Sequence, residues 1–474
     1  MLTDFLKTKK ESNKIAIIYR DNKITYSQWY NYSNSIAYCI SLFSKKRKNI
    51  GLYIGNNSNY LLGYFGVLFS DNIIVPIDIR DTNEEIKKIV SFCEIEIIIT
   101  DNNSFEKISS LLIPNLKIIV VENAITYNKK IKQKNNEAQN VVLMLHSSGS
   151  TSNPKIVMLT NQNLEENVKS HIKDLGITSE DRFLVSLPVN YGYCNTTQIL
   201  SSVYLGSKLI FYDELFSPQQ FFEYINQYEI TQATIVSSQL YLLNQKSNYK
   251  LLHNKGLKIC FGGGYLDENT INSIVKKNKN IEFIHTYGLT ECSPRVSSYH
   301  LFPNKLSKSV GKTIDNVNIM ITDTDSHGIG EILVSGPNVM KGYYKNDNAN
   351  NEILVNGWIK TGDLGYLDNG YLYLMGRKKN IIICGGKNIF PEELEAVILS
   401  CKYIDDVYVF AERNELLGEI PVAKIVPRDG FVEKNFKEYL NNHLSKIKHP
   451  RKLYYVNKID KTRTGKTIRY RKEN

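Results

Sequence analysis

Four short segments carry residue types suited to phosphate and carboxylate chemistry. The first follows the apolar run Val141–Leu145 and reads His146-Ser147-Ser148-Gly149-Ser150-Thr151-Ser152-Asn153-Pro154-Lys155. Small hydroxylated residues leave a backbone free to turn and offer N–H and O–H donors to phosphate oxygens, and Lys155 adds a point charge. The Gly-Lys-Ser/Thr ending of a Walker A loop is absent; a flexible polar loop would have the same composition. The second segment is Thr286-Tyr287-Gly288-Leu289-Thr290-Glu291. Its aromatic can stack on a base, its hydroxyl can reach a phosphate and its carboxylate can hold Mg²⁺, although an ordinary turn also fits. The third is Thr361-Gly362-Asp363, with Arg377 fourteen residues after Asp363. A carboxylate at a strand end suits a bidentate grip on two ribose hydroxyls, with Arg supplementing it; a plain turn is the alternative. The fourth is Thr462-Arg463-Thr464-Gly465-Lys466, where a lysine on a polar segment can swing into a site or lie exposed.

The elements that must position these residues alternate. Ile50–Ile54 reads as a strand, Ser58–Leu68 as a helix, Ile73–Pro76 as a strand, Asn83–Phe92 as a helix and Glu96–Thr100 as a strand. That alternation predicts an α/β fold with largely parallel strands. Thr160 is placed to cap a helix after the first segment. Asp368-Asn369-Gly370 between Gly365–Leu367 and Tyr371–Leu374 reads as a hairpin. A new strand, Ile381–Ile383, follows Lys378-Lys379-Asn380, so a small C-terminal domain is expected from about residue 379.

At 474 residues, 42% hydrophobic and 23% charged, the chain is an ordinary multidomain globular protein. No apolar run approaches the ~20 residues of a membrane helix, and the first residues hold no signal-peptide core. A cytoplasmic location is expected. Of the net charge of +11, a balance of +9 falls between Asn441 and Asn474, which implies an anionic partner or a solvated basic face. Nucleic acid is disfavoured because no recognition motif accompanies Tyr454-Tyr455. Seven scattered cysteines without a Cys-x-x-Cys pair suggest reduced buried thiols, and neither they nor the eight histidines form a zinc pattern.

Taken together and in this order, the motifs resemble the adenylate-forming superfamily of acyl- and aryl-CoA synthetases, firefly-type luciferases and peptide-synthetase adenylation enzymes. The likeness begins at Lys23-Ile24-Thr25-Tyr26-Ser27, where Trp29 stands in place of a family Leu. It runs through Gly262-Gly263-Gly264, Tyr287–Glu291, Gly330-Glu331-Ile332, Thr361–Asp363, Gly376–Lys379 and Gly385-Gly386-Lys387-Asn388-Ile389-Phe390-Pro391 to Lys466. It implies a large N-terminal α/β domain with layered, mainly parallel sheets (1–378) and a small mobile α+β domain (379–474) hinged near Lys379. It also implies the reaction: ATP and a carboxylic acid give an acyl-adenylate and pyrophosphate, then a pantetheine thiol displaces AMP. By resemblance Ser147, Ser148, Gly149, Ser150, Thr151 and Lys155 would cradle the β- and γ-phosphates. Tyr287 and Gly288 would face adenine with Gly262, Gly263 and Gly264 on its other side. Thr290 would meet the α-phosphate, Glu291 with Thr151 would hold Mg²⁺, and Asp363 with Arg377 would hold the ribose. Lys466 would bridge the acyl carboxylate and the α-phosphate, and Gly385-Gly386 would face the thiol channel after rotation. Ser152 and Ile156 depart from the glycines that usually occupy those positions.

By family position Asn190, Tyr191, Cys194, Ser237, Gly262 and Thr286 would line the acid pocket. Without an Asp there to pair an ammonium, an α-amino acid is disfavoured, and an aryl or small polar acid is expected. Arg295 suits either a second substrate anion or a surface ion pair. The acceptor would be CoA or an acidic carrier protein acting in trans. An amino-acid-activating enzyme, a non-catalytic nucleotide-binding relic and a luciferase-type oxidase are the alternatives.

Overall fold

The computed structural model describes residues 1–131, 137–146, 155–212, 216–245, 256–264, 266, 268–461 and 467–469. They form four sheets with helices between them. The first alternating stretch folds as its pattern predicts. Strands Asn49–Tyr53, Ile73–Pro76, Ile97–Thr100 and Lys117–Val120 pair in parallel within a seven-stranded sheet. The run Ile97-Ile98-Ile99-Thr100 is buried throughout, as a strand covered on both faces must be. The intervening helices Ser58–Phe69, Asn83–Phe92 and Asn102–Ser109 start at side-chain caps, Asn57, Thr82 and Asp101. These caps satisfy orphan N–H groups at the helix starts. The same sheet continues through Val141–His146 and Ile156–Thr160, the two strands flanking the first chemical segment, to the edge strand Gly342–Tyr343. Thr160 caps the following helix, Asn161–Leu175, with a full capping box.

The second, nine-stranded sheet runs Lys312–Thr313, Arg295–Leu301, Ile281–Gly288, Leu257–Gly262, Gln232–Val236, Arg182–Val185, Lys208–Phe211, Ile15–Tyr19 and Asn22–Thr25. Its centre is parallel and its outer strands antiparallel. Helices Tyr26–Phe43 and Ser58–Phe69 pack against each other within the core shared by both sheets. Trp29 lies wholly buried there, its indole N–H donating to the Leu61 carbonyl at 3.2 Å. An indole in place of Leu is therefore filled space with a satisfied polar end.

The third sheet holds the hairpin Trp358–Asp368 and Tyr371–Arg377, joined through Asn369 and Gly370, both at positive φ. That is the two-residue turn whose twist suits adjacent antiparallel strands. The fourth sheet, from Ile382–Cys384 to Lys452–Tyr455, has its own apolar core around Leu394, Val409, Val422 and Phe436. All seven cysteines are buried and unpaired. Among the described residues no helix is long and apolar enough to cross a membrane.

Candidate active site

The strand Ile281–Gly288 and its antiparallel partner Arg295–Leu301 form a hairpin with Gly288 opposite Arg295. Its loop, Leu289–Pro294, carries Thr290 and Glu291 in one 3₁₀ turn. Glycine is required at 288 because a Cβ there would fall on the Pro294 carbonyl. The loop is fixed from both sides: Leu289 N–H donates to the Pro294 carbonyl at 3.0 Å, and Met340 N–H to the Glu291 carbonyl at 2.8 Å. The Glu291 carboxylate accepts from the Tyr343 hydroxyl at 2.8 Å. The Lys155 ammonium lies over the Tyr343 ring, 5.2 Å from its centre. Tyr343 thus links the lysine after the first chemical segment to the carboxylate of the second. Burial and the Glu291 charge push its own ionisation far above the ordinary phenol range, so it keeps the proton it donates to Glu291. Glu291, half-buried, fits a hard divalent cation: one carboxylate, with phosphate oxygens completing the shell, is how Mg²⁺ is commonly held.

The third-sheet hairpin brings Asp363 directly across from Arg377. Arg377 Nε contacts Asp363 Oδ1 at 2.6 Å, and the Tyr287 hydroxyl donates to Asp363 Oδ2 at 2.7 Å. Tyr287 is 7% exposed, and burial and the Asp363 charge raise its pKa well above the usual value. The Asp363 charge, opposed by burial, raises that of Arg377. Behind them the buried Glu331 accepts from the Gly362 N–H at 3.3 Å and from Lys378 at 2.7 Å. The Gly330-Glu331 motif therefore shapes the backbone that presents Asp363.

The residues expected to line the acid pocket separate. Thr286 donates to the Phe261 carbonyl at 2.9 Å and receives the Tyr193 hydroxyl at 2.8 Å. Ser237 is buried and spends its hydroxyl on the Gly262 and Gly264 carbonyls, holding the Gly262–Gly264 turn. Asn190 bonds Asp78, and Arg80 donates to the Tyr191 hydroxyl at 3.1 Å. Cys194 is wholly buried in the core beside Tyr60. The aromatic beside Thr286 is Tyr193, because this helix start turns alternate residues to opposite sides. Arg295 is no surface ion pair: it is 2% exposed.

Ser147, Ser148, Gly149, Ser150, Thr151, Ser152 and Lys466 lie outside the described residues. Ile156 begins its strand opposite His146 and is fully buried. Lys379 is exposed in the 3₁₀ turn Lys378–Asn380 between the third and fourth sheets. Next to it the Asn380 side chain donates to Glu392 at 2.6 Å. Gly385 and Gly386 form the turn joining Ile382–Cys384 to Lys387–Ile389. Tyr343, Tyr193 and Glu331 were not singled out from the sequence. Tyr193 lies beside the expected pocket residues Tyr191 and Cys194, whereas Tyr343 falls in none of the motifs.

Tyr287, Asp363 and Arg377 are joined across two hairpins, the first of which also carries Glu291 and its partner contact to Tyr343. The chain belongs to the AMP-binding enzyme family: residues 6–344 match that family and residues 393–466 match the AMP-binding enzyme C-terminal domain. It is an ATP-dependent acid–thiol ligase that forms an acyl-adenylate and yields AMP. The 2-succinylbenzoate–CoA ligase of Oceanobacillus iheyensis is 28% identical over 468 residues, covering 97% of this chain and 96% of that one. The enzyme of the same name from Listeria innocua is 30% identical over 333 residues, 69% of this chain and 68% of that one. Among solved structures, the O-succinylbenzoate coenzyme A synthetase of Bacillus subtilis in complex with AMP has a TM-score of 0.87 at 25% identity, covering 98% of this chain and 96% of that one. The same enzyme with ATP and magnesium has a TM-score of 0.85, also at 25% identity, covering 98% of each chain.

Proposed function

We propose that the chain activates an aryl acid, 2-succinylbenzoate or a close relative of it, and transfers it to CoA. The substrate follows the names of its relatives. The observation that carries the site assignment is the linked set Lys155–Tyr343–Glu291 beside Tyr287–Asp363–Arg377. Attack of a carboxylate on the α-phosphorus builds negative charge, so preorganised cations and donors should dominate the rate. In this reading Asp363, with Arg377, holds the ribose hydroxyls, and Tyr287 and Gly288 line the adenine face opposite Gly262–Gly264. Ser147–Thr151 and Lys155 bind the β- and γ-phosphates, and Thr290 meets the α-phosphate. Mg²⁺, held by Glu291 and Thr151, would neutralise phosphate charge. Lys466 bridges the acid and the α-phosphate.

We assign residues 1–378 to the acid- and ATP-binding domain and 379–474 to a domain that rotates at Lys379. The Asn380–Glu392 bond beside this hinge is the kind of small contact a rotation would exchange. Rotation would withdraw Lys466 and bring Gly385-Gly386 to the thiol channel. The basic charge of the last 34 residues suits an acidic acceptor, CoA or a carrier's phosphopantetheine. The buried free thiols suit a reducing cytoplasm.

The test is acid-dependent ATP–pyrophosphate exchange over aryl, fatty and amino acids, with Lys466→Ala alongside, followed by thioester formation with CoA or holo-carrier. Exchange driven by 2-succinylbenzoate and lost in Lys466→Ala is expected. Exchange driven only by fatty or amino acids would overturn the substrate assignment.

A further inference from the structure

Among the described residues Arg295 is a buried cation with no anion to match it. Arg295 is 2% exposed, and its Nε and both terminal nitrogens make no hydrogen bond among the described residues. A guanidinium cannot escape by losing its proton, unlike a buried lysine. A buried charge left alone is among the costliest features a fold can carry.

The groups facing Arg295 come from three elements and do not neutralise it. Its guanidinium lies over the Tyr193 ring, 5.4 Å from the centre. Burial pushes the Tyr193 phenol up to about 12 despite the nearby guanidinium, so it stays neutral. Cys260 is likewise a buried thiol whose pKa is raised by burial. His171 is held neutral, pushed down to about 3 by burial and then by the Arg295 charge. Asp174 feels Arg295 but directs its carboxylate to Ser298 and His300. Among the described residues no carboxylate lies within ion-pairing distance of this guanidinium.

The position is informative. Arg295 stands at the base of the hairpin whose loop presents Thr290 and Glu291, opposite Gly288. Its ring partner, Tyr193, bonds Thr286, the polar wall assigned to the acid pocket. We propose that Arg295 is the specificity-determining residue that pairs with the second acidic group of the substrate. This rests on the acid-activation reading and names the residue that tells a diacid from a monoacid within it. The acid to be activated points toward the loop, and the second acid group replaces the missing anion at the hairpin base.

Three probes test it: 2-succinylbenzoate and its two analogues that each lack one carboxylate, with wild type, Arg295→Met and Arg295→Lys. Binding is read by thermal shift and activity by pyrophosphate exchange. Wild type should bind the diacid roughly 10²-fold more tightly than either monoacid, the scale of losing one partner of a buried charge pair. Arg295→Met should erase that difference while leaving monoacid binding unchanged, and Arg295→Lys should keep part of it. A wild type that binds none of the three, or all three equally, overturns the proposal. So does an Arg295→Met variant that weakens all three alike, as a purely structural arginine would. If neither variant folds, a wild-type structure with 2-succinylbenzoate decides: a second carboxylate beyond ion-pairing distance of Arg295 overturns the proposal. Exchange supported equally by monoacids would remove the diacid role and leave acid activation standing. Selective diacid binding without exchange for any acid would do the reverse.

Discussion

Two arginines of this site sit in opposite circumstances. Arg377 meets Asp363 at 2.6 Å, and that carboxylate also receives the Tyr287 hydroxyl. Arg295 is more deeply buried, lies over an aromatic ring and forms no ion pair among the described residues. The first corner would bind a part of the substrate that never changes, the nucleotide. Its charges can be paired in advance, and ligand hydroxyls need only join an existing network. The second corner would bind the part that differs between relatives. There an unpaired charge is a selector, because only an acid carrying the matching anion relieves it. Satisfied polarity thus marks the shared chemistry, and unsatisfied polarity marks the specificity.

The comparison breaks most visibly at Asp363. Asp363→Ala leaves Arg377 without its partner and removes the proposed ribose grip. Arg377 is 46% exposed, so water takes up part of the lost pairing and the stability cost is modest. We expect kcat/KM for ATP in the exchange assay to fall by at least roughly 10²-fold, and Tm to drop as well. If Tm falls and the KM for ATP stays put, the pair is structural and the contrast with Arg295 fails. Next in size is Tyr343→Phe. It keeps the ring under Lys155 and deletes the hydroxyl on Glu291. A hydrogen bond to a charged group is worth about 1.5–3 kcal/mol, so the Mg²⁺ concentration for half-maximal exchange should rise roughly ten-fold or more. No change would mean that Tyr343 does not orient the carboxylate. Smaller still is Tyr193→Phe, which keeps the ring beneath Arg295 and removes the bond to Thr286. A neutral hydrogen bond contributes about 0.5–1.5 kcal/mol. A few-fold rise in KM for the diacid is expected, without loss of selectivity against monoacids.

How much of this was legible in the sequence depended on how far apart the partners lie. That Asp363 and Arg377 lie across from each other is legible because the Asn369-Gly370 turn sets the register of a single hairpin. The alternating strands and helices before residue 101 were legible because each carries its own period and cap. Tyr343 gave no local signal: it meets Glu291 across 52 residues, from an edge strand of another sheet. At Leu187–Tyr193 the chain turns from loop into helix, where spacing does not say which side faces the site. Spacing therefore does not reveal that Tyr193 stands beside Thr286, and Cys194, expected in the acid pocket, packs into the core. Arg295 stood between a surface ion pair and a substrate partner until its burial was known, since only packing distinguishes a solvated arginine from a stranded one.

The smallest effect sharpens the same contrast from the far side of Arg295. Asp174 senses the Arg295 charge, and it is engaged by His300, which also hydrogen-bonds Glu282. Bonds from Asp174 and Glu282 raise the His300 pKa to about 9. A histidine with a raised folded-state value contributes stability below its unfolded value near 6.5, and loses it as pH rises through about 9. The side chain is 27% exposed, so solvent screening limits the contribution to about 2 kcal/mol or less. His300→Gln should therefore flatten the fall in Tm between about pH 6.5 and 9, as followed by thermal unfolding. It should leave diacid selectivity untouched, because Asp174 faces Ser298 and His300 instead of pairing with Arg295. If selectivity instead collapsed in His300→Gln, the released Asp174 would have become the internal counter-ion. Arg295 would then be a cation whose pairing the protein controls, and the two corners would differ in degree and no longer in kind.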